Sequence, residues 1–158
     1  MAELATGTDL LDAIVGVAPG SALAALRAQR PEILRHSQGS HDVLLSPDDL
    51  GGLSLAERAL VARLVAELAG HVALTAHYQA LVDARGGLPD GPRVAAILAH
   101  AERLAIAPGS ATRQHLAALQ AVGLQARDIV ALAQLVAFVA YQVRVAVGLA
   151  LLAQEKAA

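Results

Sequence analysis

A chain of 158 residues with a formal charge of −2 carries too little positive charge for a nucleic-acid footprint, and it is long enough to bury one substantial core. It contains no cysteine, which excludes disulfides and thiol redox chemistry in any compartment. Apolar residues make up 56% of the chain and aromatic residues only 2%, so alanine and leucine must build the core, which favours close-packed helices over sheets.

Taken in chain order, Thr8 is placed to cap a short helix from Asp9 to about Val15, ended by Gly16 and Pro19-Gly20. Ser21 opens a second helix with Leu23 and Leu26 facing inward, stopping before Pro31. Proline suits a first helical position, so a third helix is expected from Glu32 to about Leu45, with Gly39 weakening its middle. Ser46 to Gly52, SPDDLGG, reads as the clearest linker. Residues 1–52 are therefore expected to form an N-terminal helical extension packed on a core domain of residues 53–158, because ~50 residues rarely bury enough surface alone.

The densest pattern follows. Ser54 and Glu57 have the capping-box spacing, and Leu60, Val61, Leu64, Val65 and Leu68 form an apolar stripe at helical spacing. Gly70 interrupts this pattern, which resumes with Leu74, His77 and Leu81 on one face of a further helix. The breaker Gly86 to Pro92 separates it from a helix over Arg93 to about Ile106, with Val94, Ile97, Leu98, Ala101 and Leu104 inward. Pro108-Gly109 ends that helix. Ser110 is expected to cap the next, about Ala111 to Val122, and a final long helix should run from about Ala126 to Gln154.

A capped acidic helix, a short break and a helix with an inward histidine resemble the core of the carboxymuconolactone decarboxylase and alkylhydroperoxidase D superfamily. The phrases AERLAIAPGSATRQHLAALQAVGL and AFVAYQVRVA resemble its peroxidase-related branch, with Ala140 and Val143 where that branch usually has asparagines and Arg144 matching. The resemblance covers about Leu53 to Leu152, and it implies an all-α, alkylhydroperoxidase D-like helical bundle that assembles as a homo-oligomer. In the peroxidase branch the break carries Cys-x-x-Cys, followed four residues later by a histidine. Anchoring on His77, Ala80 and Leu81 puts Gly70 and Ala73 at the cysteines. Anchoring on Glu57-Arg58 and Leu60-Val61 puts Ala59 at a second family glutamate, His71 and Leu74 at the cysteines, and Tyr78 at the histidine. Both alignments stand at this point, and neither supplies a thiol.

The candidate catalytic residues are His77, Glu57 and Arg144, with His71 and Tyr78 in the second alignment. Glu57 is explained by the capping box alone, but a buried carboxylate there would have a raised pKa and could donate a proton. His77, between Leu74 and Leu81, is either a core histidine or the edge of a small-molecule pocket opened by Gly70 and Ala73. His71 follows Glu67 by four residues and can pair with it only if the helix continues through Gly70. The six histidines lack His-x-x-x-His or Glu-x-x-His spacing, so neither a metal nor a cofactor is expected.

Ile129 to Leu152 is apolar enough to suggest a membrane span, but Arg144 near its middle would cost about 2.5–3.5 kcal/mol, and a central core helix reads the same way. No membrane is expected, and with no charged and apolar leader at the start the expected location is cytoplasmic. The expected function is a cysteine-less, non-thiol protein holding a small-molecule ligand, not a thiol peroxidase. The alternatives are a decarboxylase-like lyase with His77 as general acid and Arg144 or Arg58 holding a carboxylate, and a non-catalytic oligomeric binding or scaffold protein.

Overall fold

The computed structural model describes residues 9–155, and these are all-α. Eight α-helices appear in order: α1 (Leu10–Val15), α2 (Ala22–Ala28), α3 (Pro31–Leu45), α4 (Leu55–Leu68), α5 (Val72–Ala84), α6 (Pro92–Ile106), α7 (Arg113–Ala121) and α8 (Ala126–Glu155). The expected cap at Thr8 lies outside the described residues. Asp9 caps α1 instead, its carboxylate accepting the N–H groups of Leu11 and Asp12. Ser21 caps α2 as expected, and Leu23 is buried, but Leu26 is 49% exposed rather than inward. Leu26 instead borders a surface groove with Ile33 and Leu34 of α3. Gly39 leaves α3 unbroken, and Ser110 lies in a 3-10 turn while Thr112 occupies the N-cap of α7.

Helices α4 and α5 form the central antiparallel hairpin. Ser54 Oγ accepts the Glu57 N–H at 3.2 Å while Glu57 Oε2 accepts the Ser54 N–H at 2.8 Å, so the capping box is complete. The helix closes at Ala69, where Gly70 takes φ of +69°. The Gly70 N–H then reaches Glu67 O at 2.9 Å and the His71 N–H reaches Ala66 O at 3.0 Å, the paired bonds of a Schellman ending. A glycine meets that left-handed requirement without steric strain. Val61, Ala62, Val65 and Ala66 from α4 and Leu74 and Tyr78 from α5 enter the core.

The 30 residues of α8 extend about 45 Å, and α8 packs against α1, α3, α4, α6 and α7. Leu132, Leu135, Val139 and Ala146 are fully buried along it. By length and composition α8 is apolar enough to cross a membrane; one face of it packs against the other helices of the chain, while Val130, Val147 and Leu151 are exposed. Helices α1, α2 and α3 lie against α8, and α3 also touches α4.

The linker between α3 and α4 is fixed by buried polar side chains. Arg58, 5% exposed, donates to Leu44 O at 2.8 Å, Leu50 O at 3.0 Å and Leu53 O at 3.1 Å. Asp128, 4% exposed, accepts the Gly52 N–H at 2.7 Å and the Gln125 N–H at 2.8 Å. A Cβ on Gly51 would lie 2.8 Å from Asp128 Oδ1, and one on Gly52 would collide with the same carboxylate. The two glycines are therefore required by close approach of the α8 start.

Candidate functional site

Glu57 stands at the first turn of α4, buried, with Oε1 accepting Arg93 Nε at 2.7 Å and Oε2 on the Ser54 N–H. Arg93 also donates to Val122 O at 2.7 Å and to Gly52 O, which joins α4, α6, the end of α7 and the linker. Burial pushes the Glu57 carboxyl up, but the hydrogen bonds from Arg93 and Ser54 and the Arg93 charge outweigh it, and the net shift is downward. The raised pKa anticipated for a buried carboxylate at this position is thus corrected: Glu57 is an ionised structural anion. Arg58, considered above as a carboxylate holder, has its guanidinium bonded to three backbone carbonyls of the chain itself.

His77 is half-buried on α5, and its ring faces α3. Its centroid lies 6.0 Å from that of His41 and 5.0 Å from that of Tyr78, which it meets edge-on. Nε2 of His77 is buried with no hydrogen-bond partner, and so is Nε2 of His41. Burial, then the neighbouring His41, lowers the His77 pKa from its usual 6.5, so the ring is neutral at pH 7. Tyr78 is wholly buried, and its hydroxyl donates to Gln142 Oε1 across to α8. Burial raises the phenol pKa strongly, so it stays protonated.

Gly70 does border a groove, of about 430 Å³, but that groove runs over the outer face of α5 along Val72, Thr75, Ala76 and Gln79. Ala73 is exposed and His77 is not among the lining residues. His71 is the N-cap of α5, its Nδ1 accepting the Leu74 N–H at 3.2 Å. Because Gly70 breaks the helix, Glu67 does not reach His71 and pairs with Arg63 at 3.2 Å.

Arg144 lies elsewhere. It sits on α8 at the rim of a cavity of about 340 Å³ whose other lining residues are Val65, Leu68, Ala69, Ala105, Ile106, Ala140 and Val143. Its one described hydrogen bond runs from Nη1 to Ala140 O at 2.7 Å. Among the described residues no hydrogen bond or ion pair joins any two of His77, Glu57 and Arg144; Glu57 is bonded within the linker network, His77 pairs with His41, and Arg144 faces a separate cavity. No group of three or more metal-ligating side chains occurs among the described residues.

Sequence reasoning missed His41 and Arg93. Their partners are 36 residues away in each case, across a helix packing that the local pattern does not encode.

No family model matches the chain, and no curated protein matches it. Among solved structures it is similar to an uncharacterized peroxidase-related protein from Silicibacter sp. TM1040, with a TM-score of 0.63 and 21% identity over 75% of this chain and 69% of that one. The likeness is one of fold. With no cysteine at any position, the chain lacks the group that thiol-based peroxide reduction requires.

Proposed function

We propose that this chain is a thiol-free binding protein built on the peroxidase-related, alkylhydroperoxidase D-like helical fold, and that its ligand is a small apolar anion such as a medium-chain carboxylate. The observation that carries this reading is the cavity of about 340 Å³ under Arg144. Its walls are alanine, valine, leucine and isoleucine from α4, α6 and α8, and among the described residues the one charged side chain lining it is the arginine at the rim. A concave apolar site with one placed polar group is the usual form of a small-ligand pocket, and this volume is at the small end of the range. Arg144 cannot lose its charge, and with a single carbonyl bond described it keeps donors for a carboxylate in the planar, two-pronged geometry that guanidinium favours.

The start of α5 supports the non-thiol part of the reading. A redox thiolate is stabilised at a helix N-terminus. In the second alignment the two cysteine positions are His71, the N-cap, and Leu74, whose N–H that cap binds. In the first they are Gly70, in the Schellman turn, and Ala73, exposed on the outer face. Both alignments thus put a position in the first turn of α5, whose N-terminus the His71 ring occupies as a cap.

Assembly belongs to the same reading. Tyr141, Val147, Leu151 and Leu152 are 40–59% exposed along the second half of α8, an apolar strip that a second copy would cover.

The test is calorimetric titration of the whole chain with octanoate and with octanol. Saturable octanoate binding, weakened at least tenfold by Arg144→Met and not reproduced by octanol, is the expected result. Octanoate binding that ignores Arg144→Met, or no saturable binding at millimolar ligand, overturns the proposal.

A further inference from the structure

We infer that two copies of this chain pair antiparallel through α8, across a two-fold axis level with Gln142 and Val143, and that the partner's Tyr141 closes the mouth of the Arg144 cavity. The dimer rests on the shape of α8 and α3 alone; the part played by Tyr141 rests also on the ligand reading above. Gln134, Ala137, Tyr141, Arg144, Gly148 and Leu151 are all exposed, at intervals of three, four, three, four and three residues. Any helix buried on one side leaves such a stripe to solvent, and its content is what sets this one apart. From Gln134 to Leu152 the sole charged residue is Arg144. Tyr141, Val147, Leu151 and Leu152 are meanwhile 40–59% exposed. A solvated helix face carries charge, whereas the core of an interface is depleted of it.

The two halves of the stripe differ in shape. The first half shares a groove of about 740 Å³ with α3, lined by Gly39, Ser40 and Val43 on one side and by Gln134, Ala137 and Phe138 on the other. Val43 stands 66% exposed in it. The second half carries a ridge made of Val147, Leu151 and Leu152. An isologous contact must join each surface to its own complement, here groove to ridge twice over. Rotation about an axis level with Gln142 and Val143 does so. It sets Ala137 opposite the partner's Gly148, Gln134 opposite the partner's Leu151, Phe138 opposite the partner's Val147, and Arg144 opposite the partner's Tyr141. The flanks agree as well. At 3.6 residues per turn, Phe138 and Tyr141 lie on the α3 flank of the stripe and Val147 and Arg144 on the other, where Arg144 meets α6. Two-fold rotation brings unlike flanks together, so each ridge enters the other copy's groove. Parallel pairing would instead set ridge beside ridge and leave both grooves empty.

Small residues permit a close approach. A Cβ on Gly148 would meet nothing within 4 Å and Ala137 is exposed, so the two α8 axes can come to about 8 Å. The face formed by α8 from Val130 to Leu152 and by the 15 residues of α3 projects roughly 600 Å², which is the low end of the area per partner in stable interfaces. The two guanidinium groups lie on opposite flanks and do not oppose each other. Each meets the partner's Tyr141 at a cavity mouth that Tyr141 of the same chain does not line. An aromatic ring stacks on the guanidinium plane and leaves the in-plane donors free for a carboxylate. The cavity is thus open in one copy and roofed in the dimer.

Because the chain has no cysteine of its own, disulfide trapping is clean. The full chain carrying both Ala137→Cys and Gly148→Cys should give a covalent dimer on mild oxidation, since the opposed Cα atoms fall within the ~4.4–6.8 Å that a disulfide spans. Either substitution alone should give none above background, because like positions then lie about 16 Å apart along the seam. Sedimentation equilibrium should show a dimer at micromolar concentration, weakened at least tenfold by Val147→Glu combined with Leu151→Glu. Both positions are exposed, and an unchanged circular dichroism spectrum checks the fold. Arg144→Met, whose thioether also packs on an aromatic ring, should keep the crosslink while losing octanoate. Tyr141→Ala should weaken octanoate binding severalfold. A monomer at micromolar concentration overturns the inference, as does a dimer that the double-cysteine variant fails to trap or that the single variants trap equally well. Octanoate affinity unmoved by Tyr141→Ala overturns the role of Tyr141. Failure of the unaltered chain to bind octanoate sinks the ligand reading and the Tyr141 role with it, while the crosslink still decides the dimer.

Discussion

Replacing Arg58 by methionine keeps most of its buried alkyl stem and removes the three hydrogen bonds that hold the linker between α3 and α4. Those bonds, at 2.8, 3.0 and 3.1 Å, end on Leu44 near the close of α3, on Leu50 in the linker and on Leu53 just before α4. Charge-assisted bonds contribute roughly 1.5–3 kcal/mol each, which would give an upper bound of ~4.5–9 kcal/mol for three. Two effects reduce it. Removing the guanidinium relieves its own desolvation, and the carbonyls of Leu44 and Leu50 lie where water can reach them, as their bonds are only part-buried. The net expectation for Arg58→Met is a loss of ~2–4 kcal/mol from a total that for such domains is ~5–15 kcal/mol. Arg58→Lys restores the charge but not the fork that spans three carbonyls, and should fall between the two. The assay is urea unfolding followed by circular dichroism, with the midpoint falling and the slope unchanged. Limited proteolysis within Ser46–Gly52 should accelerate in parallel. Arg144→Met is the control, because that side chain is exposed and should leave the midpoint unmoved. An Arg58→Met midpoint equal to that of the unaltered protein would refute the reasoning, since the linker would then be held by something other than this guanidinium.

Gly52→Ala should destabilise by at least ~2 kcal/mol, because the new methyl collides with the Asp128 carboxylate and breaks its bond to the Gly52 N–H; a stable Gly52→Ala protein by thermal melting would contradict that contact. Tyr78→Phe should lose ~1–3 kcal/mol in urea unfolding by leaving Gln142, 1% exposed, without its partner; a change under ~0.5 kcal/mol would mean that the Gln142 amide finds another. Acidification should lower the urea midpoint in two stages. His77 and His100 have folded pKa values below the usual 6.5, so the unfolded chain takes up protons first and stability falls as pH drops below that value. Glu57 and Asp128 are depressed below 4.5 and 3.8, and their stabilisation is lost as pH falls below those values; a midpoint that is flat or rises as pH drops from about 7.5 to about 5 would contradict the first stage, and one that is flat or rises from about pH 4.5 to about 2 the second.

Much of the fold was legible because it is written locally. The Ser54–Glu57 box, the glycine at position 70 and proline at first helical positions each act within four residues; α4 starts at its Ser54 cap and closes at Gly70 as expected, and α6 begins and ends within a residue of expectation. Where local pattern failed, a longer-range contact decided the outcome. Leu26 has helical spacing from Leu23 but lies at the edge of the α2–α3 contact, where it stays half-exposed. Glu57 satisfied its local pattern so completely that its second partner, Arg93, left no trace in the sequence. Asp128 and Gly52 are 76 residues apart, and only the packing of α8 on the linker shows why both are needed.

The candidate site was less legible for a related reason. Residue type singled out Glu57, Arg58, His77 and Arg144 as groups with useful chemistry, but type does not reveal which of them are already engaged. The structure divides them by that criterion. Glu57 and Arg58 are buried and bonded on every side to the chain's own donors and carbonyls, so a ligand would have to displace a structural bond to reach either. Arg144 keeps most of its donors unused at the mouth of an apolar cavity, and His77 keeps a buried nitrogen unpartnered beside another of the same kind. A buried polar group that lacks a partner is unfavourable in isolation, whereas one that awaits a ligand recovers its hydrogen bond on binding. Unsatisfied groups are therefore the better guide to where this chain meets something other than itself. By that reasoning α4, whose Glu57 and Arg58 are fully engaged, carries the framework.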